Sequence, residues 1–232
     1  MSCKKVIVYV HGYGGNGQES PILEKLNSIL SPAKHVLLPF LWQSGGIGPA
    51  VYSDLKDVAS EFATDTFKRA VMNSLRKLFK SKVKSDFLLS QARSCLLGGV
   101  FEKFLKREID NVTSVSIVSF SLGTRIVHDF LKLCTDLELL SKINKIIMLA
   151  PAMPNNLKAN LASIRIIKPD FKIEAYYSHN FDLALKVAYP IAGNALRAAG
   201  EVGFSDESIY KNVNVNLGHG EYEKLIDFID IE

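Results

Sequence analysis

The sequence predicts an α/β fold, with a mostly parallel central sheet, helices on both faces and a helical insertion. Three observations predict it. Short apolar runs rich in β-branched residues alternate with longer amphipathic stretches. Those runs are nearly continuous in apolar residues, as strands covered on both faces must be. The length, 232 residues, suits one α/β domain with a core that needs no staples.

The elements follow in order. Residues 6–10 (VIVYV) read as a buried strand. Residues 21–30 read as a helix, with Ser20 as N-cap and Pro21 at its first position. Residues 35–39 (HVLLP) form a second strand and residues 114–119 (SVSIVS) a third, with a helix after it over 124–134. Strands four to six are residues 145–150 (KIIMLA), 171–177 (FKIEAYY) and 212–217 (NVNVNL). A helix over 221–229 closes the chain.

Residues 51 to about 111 differ. Helical periodicity runs almost throughout, and no strand signal interrupts it. One long amphipathic helix is expected over 51–80 and another over 86–107, with a break at Gly98-Gly99. Two helices exceed what a single βαβ crossover needs. This insertion, about 51–110, is open to three readings: a lid over an active site, a membrane-contacting hairpin, or extra packing on the sheet. With no repeat, low-complexity tract or linker, residues 1–232 read as a single domain.

Bulk properties exclude several classes. Apolar residues make up 47% and charged residues 22%, which is neither a disordered nor a membrane composition. A net charge of +4 does not argue for nucleic acid. The basic residues Lys68, Arg69, Arg76, Lys77, Lys80, Lys82 and Lys84 do cluster. They read as a solvated helix face, or as a contact with an anionic membrane or an acidic partner. Cysteines 3, 95 and 134 are too scattered for a disulfide framework or zinc site. The first apolar run is too short for a signal-peptide core, and no stretch is long enough to span a bilayer. A soluble, reducing, cytoplasmic setting is expected.

The chemistry-bearing residues begin at Ser119-Phe120-Ser121-Leu122-Gly123, between a predicted strand and a predicted helix. That is the place of a nucleophile elbow, where a sharp turn lifts a serine hydroxyl above the sheet. The usual form is G-x-S-x-G, because the residues two before and two after the serine face each other closely. Here Ser119 takes the first position. A serine nucleophile needs a base, and the histidines are at 11, 35, 128, 179 and 219. His219 sits between Gly218 and Gly220, directly after the last strand, at the sheet edge that carries sites in open α/β sheets.

The base needs an orienting carboxylate. Asp182 follows the fifth strand after a short loop, although an acid there also suits a helix N-terminus. Asp206 competes for the acid role. The chain order Ser121, Asp182, His219 is that of an α/β-hydrolase triad, each member following its own strand. An oxyanion hole would draw on the N–H of Leu122 and on the loop His11-Gly12-Tyr13-Gly14-Gly15. Tyr13 is the favoured second donor there, with Gly12 and Gly14 shaping the loop. The same loop matches G-x-G-x-x-G, the dinucleotide fingerprint. No acid closes the second strand, however, and the loop does not open straight into a helix, so a nucleotide-binding reading is disfavoured.

At this point the chain resembles α/β-hydrolases of the DUF900 and DUF726 families, which are of unknown function. The stretches that carry the resemblance are VYVHGYGG (8–15), PFLWQSG (39–45), SFSLGTR (119–125), MLAP (148–151) and YYSHNFDLAL (176–185). It implies the α/β-hydrolase fold and a Ser121, Asp182, His219 triad. Two departures stand out: Ser119 replaces the more usual glycine or histidine, and the helical insertion is longer than the common pattern. The expected function is serine hydrolysis, esterase- or lipase-like, of a small-molecule ester or acyl substrate, with no metal or organic cofactor. The competing expectation is a non-catalytic binding protein that kept the fold, associated with a membrane or partner through the basic insertion.

Overall fold

A computed structural model of the protein describes residues 5–13, 20–42, 44, 82–110, 112–182, 184–191 and 197–231. Its centre is a six-stranded sheet: β1 Lys5–Val10, β2 His35–Phe40, β3 Val115–Phe120, β4 Ile143–Leu149, β5 Ile173–Tyr177 and β6 Tyr210–Asn214. The strand order is β2-β1-β3-β4-β5-β6, and every pair is parallel. The core strands are apolar on both faces because helices cover both; Val8, Val10, Ile117, Val118, Ile147 and Leu149 are all buried. This is the α/β-hydrolase fold.

The register lines up the carboxyl ends of the strands. Val10 pairs with Phe40 on one side and Ser119 on the other. Phe120 pairs with Leu149, Leu149 with Tyr176, and Tyr177 with Asn214. The loops that follow therefore emerge in one row. From β1 the chain steps outward to β2, then returns past β1 to β3 and proceeds the other way. With right-handed crossovers, that reversal puts successive helices on opposite faces and opens a crevice between the ends of β1 and β3.

Helix Pro21–Ile29 packs with the C-terminal segment on one face, tied by Lys25 to Asp227 at 2.7 Å. On the other, helices Lys82–Leu96 and Gly98–Glu108 pack against helix Gly123–Leu133. Gly98 makes this approach possible, since a Cβ there would lie 2.7 Å from backbone atoms of Asp129 and Phe130. Phe101 fills the contact, edge-on to Phe40 and Phe130 at 5.0 and 5.5 Å. Residues 82–108 of the insertion thus form a layer on the sheet. The long helix expected over 51–80 and residues 68–81 of the basic cluster lie outside the described residues.

Several expectations need correction. The break expected at Gly98-Gly99 falls one residue earlier, at Leu97, between helices Lys82–Leu96 and Gly98–Glu108. Ser20 does not cap its helix through its side chain. Its hydroxyl meets the buried Tyr9 phenol at 2.7 Å instead, and Pro21 at the first position leaves one fewer unpaired N–H at the helix start. The last strand covers Tyr210–Asn214 rather than 212–217. The alternating pattern runs on, but its partner β5 ends at Tyr177, and Leu217 N–H then turns to the Ser178 hydroxyl at 3.3 Å. The closing segment is a 3₁₀ helix, His219–Leu225, not an α-helix. Tyr222, Leu225, Ile226 and Ile229 are spaced to suit either pitch over so short a run. Helices Leu137–Lys142 and Ala162–Ile167 were not anticipated. No helix among the described residues is long and apolar enough to cross a membrane.

Candidate active site

The turn after β3 is sharp. Ser121 takes φ 52°, a left-handed conformation that costs energy for any residue with a side chain. Hydrogen bonds on both sides of the residue hold it there. Ser121 N–H donates to Leu149 O at 2.9 Å, and its carbonyl accepts from Thr124 N, Thr124 Oγ1 and Ala152 N at 3.2, 2.6 and 3.2 Å. Gly123 is required by sterics: a Cβ there would sit 2.4 Å from the carbonyl oxygens of Val10 and His11. Ser119, in the position usually given to glycine, is fully buried and turns its hydroxyl away to Ile147 O at 3.2 Å. Its one extra polar atom is therefore satisfied within the sheet.

His219 arrives from the loop after β6, and Asp182 from the loop after β5. His219 Nδ1 lies 2.8 Å from Asp182 Oδ2, and His219 Nε2 lies 3.0 Å from Ser121 Oγ. All three residues are buried. The carboxylate accepts from Nδ1–H, so Nε2 presents its lone pair to the serine hydroxyl. The other carboxylate oxygen of Asp182 accepts from Leu185 N–H at 3.0 Å. One oxygen of this acid thus meets the imidazole and the other the start of the following helical turn. Asp206 lies elsewhere. It precedes β6, at the opposite edge of the sheet, and bonds Ser208 Oγ at 2.5 Å and Lys158 Nζ at 3.2 Å.

The crevice side of Ser121 is made by backbone. Gly12 lies so close that a Cβ on it would be 2.7 Å from the Ser121 Cβ and 3.1 Å from the Phe120 carbonyl. Leu122 opens helix Gly123–Leu133, so its N–H has no acceptor within the helix. The N–H of Tyr13 follows Gly12 along the chain. The Tyr13 ring packs edge-on against Phe87 at 5.3 Å, and burial, with Asp86 next in effect, pushes its phenol up to about 12. It is a neutral wall at working pH. Gly14 lies outside the described residues.

Three aromatic groups pack here to which the motifs assign no role of their own. The Phe120 ring lies 4.9 Å from the His219 ring, at 36°. His11 stacks on Trp42, centroids 5.5 Å apart and 23° between planes. Phe120 sits inside the elbow motif at its unspecified position, where no side-chain preference marks it. Trp42 could have been found: it is the single tryptophan of the chain, and it follows the second strand at the edge where the site lies. Among the described residues, no three His, Cys, Asp or Glu side chains come together to hold a metal ion.

No family model matches the chain, and no curated protein does. Solved structures similar to it include a proposed hydrolase of the alpha/beta superfamily from Xanthomonas campestris pv. campestris. That match has 11% identity, spans 97% of this chain and 93% of that one, and has a TM-score of 0.43. Zea mays acyl-protein thioesterase 2 is another, at 14% identity over 98% and 93% of the two chains, TM-score 0.40. Est1E from Butyrivibrio proteoclasticus is a third, at 11% identity over 97% and 85%, TM-score 0.40. Each is a likeness in the path of the chain.

Proposed function

We propose that the protein is a serine hydrolase, esterase- or lipase-like, acting on a small-molecule ester or acyl substrate through an acyl-serine intermediate. The observation that carries this reading is the His219 ring, bonded at 2.8 Å to a buried carboxylate and at 3.0 Å to a serine hydroxyl on a strained turn. In the reaction, Ser121 Oγ attacks the substrate carbonyl carbon as His219 Nε2 takes its proton. The resulting imidazolium is stabilised by Asp182. Negative charge gathers on the carbonyl oxygen, where the N–H groups of Leu122 and Tyr13 are the donors that would receive it. His219 then returns the proton to the leaving alcohol. Water attacks the acyl-serine by the same route, with His219 again the base. The resemblance of residues 8–15 and 119–125 to the DUF900 and DUF726 families belongs to this proposal.

A fluorophosphonate probe tests it. Covalent labelling of the folded wild type, lost in Ser121→Ala, is the expected result. No labelling of wild-type protein with an intact circular dichroism spectrum overturns the enzyme reading and favours a binding protein that kept the fold.

A further inference from the structure

His11 makes no contact with Ser121, Asp182 or His219 among its hydrogen bonds, yet every polar atom of its ring is engaged. Its Nδ1 lies 2.9 Å from the Gly12 carbonyl oxygen, and its Nε2 lies 3.3 Å from Trp42 N. Trp42 N–H can only donate, so Nε2 is the acceptor and Nδ1 carries the proton that Gly12 O receives. Trp42 closes the clasp by donating its indole Nε1–H to the His11 carbonyl at 2.9 Å. The two rings stack and are buried, and burial holds the imidazole pKa below its ordinary value, which keeps the neutral ring that this pattern needs.

The Gly12 carbonyl and the Tyr13 N–H belong to one peptide unit. That unit is planar and trans, as no cis bond occurs among the described residues, so its C=O and N–H point in opposite directions. Gripping the oxygen aims the hydrogen. Gly12 lies against Ser121, since a Cβ on it would be 2.7 Å from the Ser121 Cβ, so this peptide unit borders the nucleophile.

We infer that His11, braced by Trp42, is a positioning residue for the oxyanion hole: it fixes the orientation of the Gly12–Tyr13 peptide and thereby the Tyr13 N–H. This inference rests on the serine-hydrolase reading for its kinetic consequence, but the hold on the peptide stands without it. An oxyanion donor acts only in the transition state, so its misalignment lowers kcat and leaves KM nearly unchanged.

Two substitutions isolate the role. His11→Phe keeps a flat ring against Trp42 and removes both side-chain bonds. His11→Gln supplies an N–H for Gly12 O and an oxygen for Trp42 N–H. With 4-nitrophenyl acetate, the phenylalanine variant is expected to lose about 10–100-fold in kcat with KM within about twofold of wild type. The glutamine variant is expected to recover most of the loss. Amide hydrogen exchange across residues 11–13 should rise in His11→Phe and return toward wild type in His11→Gln. Trp42→Phe, which removes only the indole donor, should give a smaller rise, and it stands in should His11→Phe fail to fold. Equal kcat in all variants, or equal impairment by phenylalanine and glutamine, overturns the inference. If the wild type neither turns over ester nor takes the fluorophosphonate, the hydrolase reading falls, and exchange alone decides whether His11 holds the peptide. Unchanged exchange in both His11→Phe and Trp42→Phe would then sink it.

Discussion

The two flanks of Ser121 are built from different materials. On one, His219 and Asp182 reach the serine through side chains, by hydrogen bonds of 3.0 and 2.8 Å. On the other, Gly12 and Gly123 meet neighbouring backbone and Cβ atoms at distances where no side chain fits. The first flank owes its chemistry to functional groups, and the second owes its geometry to their absence. Substitutions should therefore fail in different ways. On the side-chain flank chemistry is lost while the fold persists, and on the backbone flank packing and chemistry are lost together.

The largest effect should come from Asp182→Asn. Asparagine still offers an oxygen to Leu185 N–H, but its amide faces His219 Nδ1 and favours the wrong tautomer. A fall of about 10⁴-fold in kcat with a melting temperature close to wild type is expected. A variant that loses activity only because it unfolds, seen as a collapsed melting temperature, would break the contrast from this side.

Gly12→Ala comes next. Its Cβ would need space 2.7 Å from the Ser121 Cβ, so the loop must withdraw. A drop of about 10²-fold in kcat is expected from displacing an oxyanion donor, together with a loss of about 1–3 kcal/mol in chemical denaturation. Wild-type stability in this variant would contradict the packing argument. Ser119→Ala should do less. It leaves the Ile147 carbonyl short of one bond, for about 1 kcal/mol of stability, and should leave kcat unchanged.

The smallest effect concerns pH. His11 has a lowered pKa in the folded protein, whereas in the unfolded chain it titrates at its ordinary value near 6.5. Below that value the unfolded state binds more protons, so this histidine's contribution is fully present above it and is lost as pH falls toward the folded pKa. Urea titrations at pH 7 and pH 5 should show a stability loss that is smaller in His11→Gln. An identical loss in both proteins would remove His11 as a source.

The same contrast explains what could be read from residues alone. Ser121, Asp182 and His219 carry reactive groups and follow three separate apolar runs, so a reading by residue type and order could single them out. Gly12 was visible only as a permissive residue, and Gly123 only as a small one required by the elbow, because the atoms they must avoid come from other strands. Whether Asp182 or Asp206 reached the imidazole depended on which end of β6 each faced. Chain spacing does not encode that until the strand limits are known, and the alternation at 213, 215 and 217 blurred one of them. The 3₁₀ segment that begins at His219 escaped for a similar reason, as its apolar spacing fits two helical pitches. Ser119 looked like a flaw in the elbow because the carbonyl that receives its hydroxyl lies on a strand that starts 24 residues later (119 to 143).

The clasp around His11 has an optical consequence. Trp42 is the chain's sole tryptophan, so emission excited selectively in indole comes from one address, stacked on the imidazole beside the loop after β1. Motion of that loop, whether from ligand, acid or denaturant, can be followed by light without any added label and before any substrate is known.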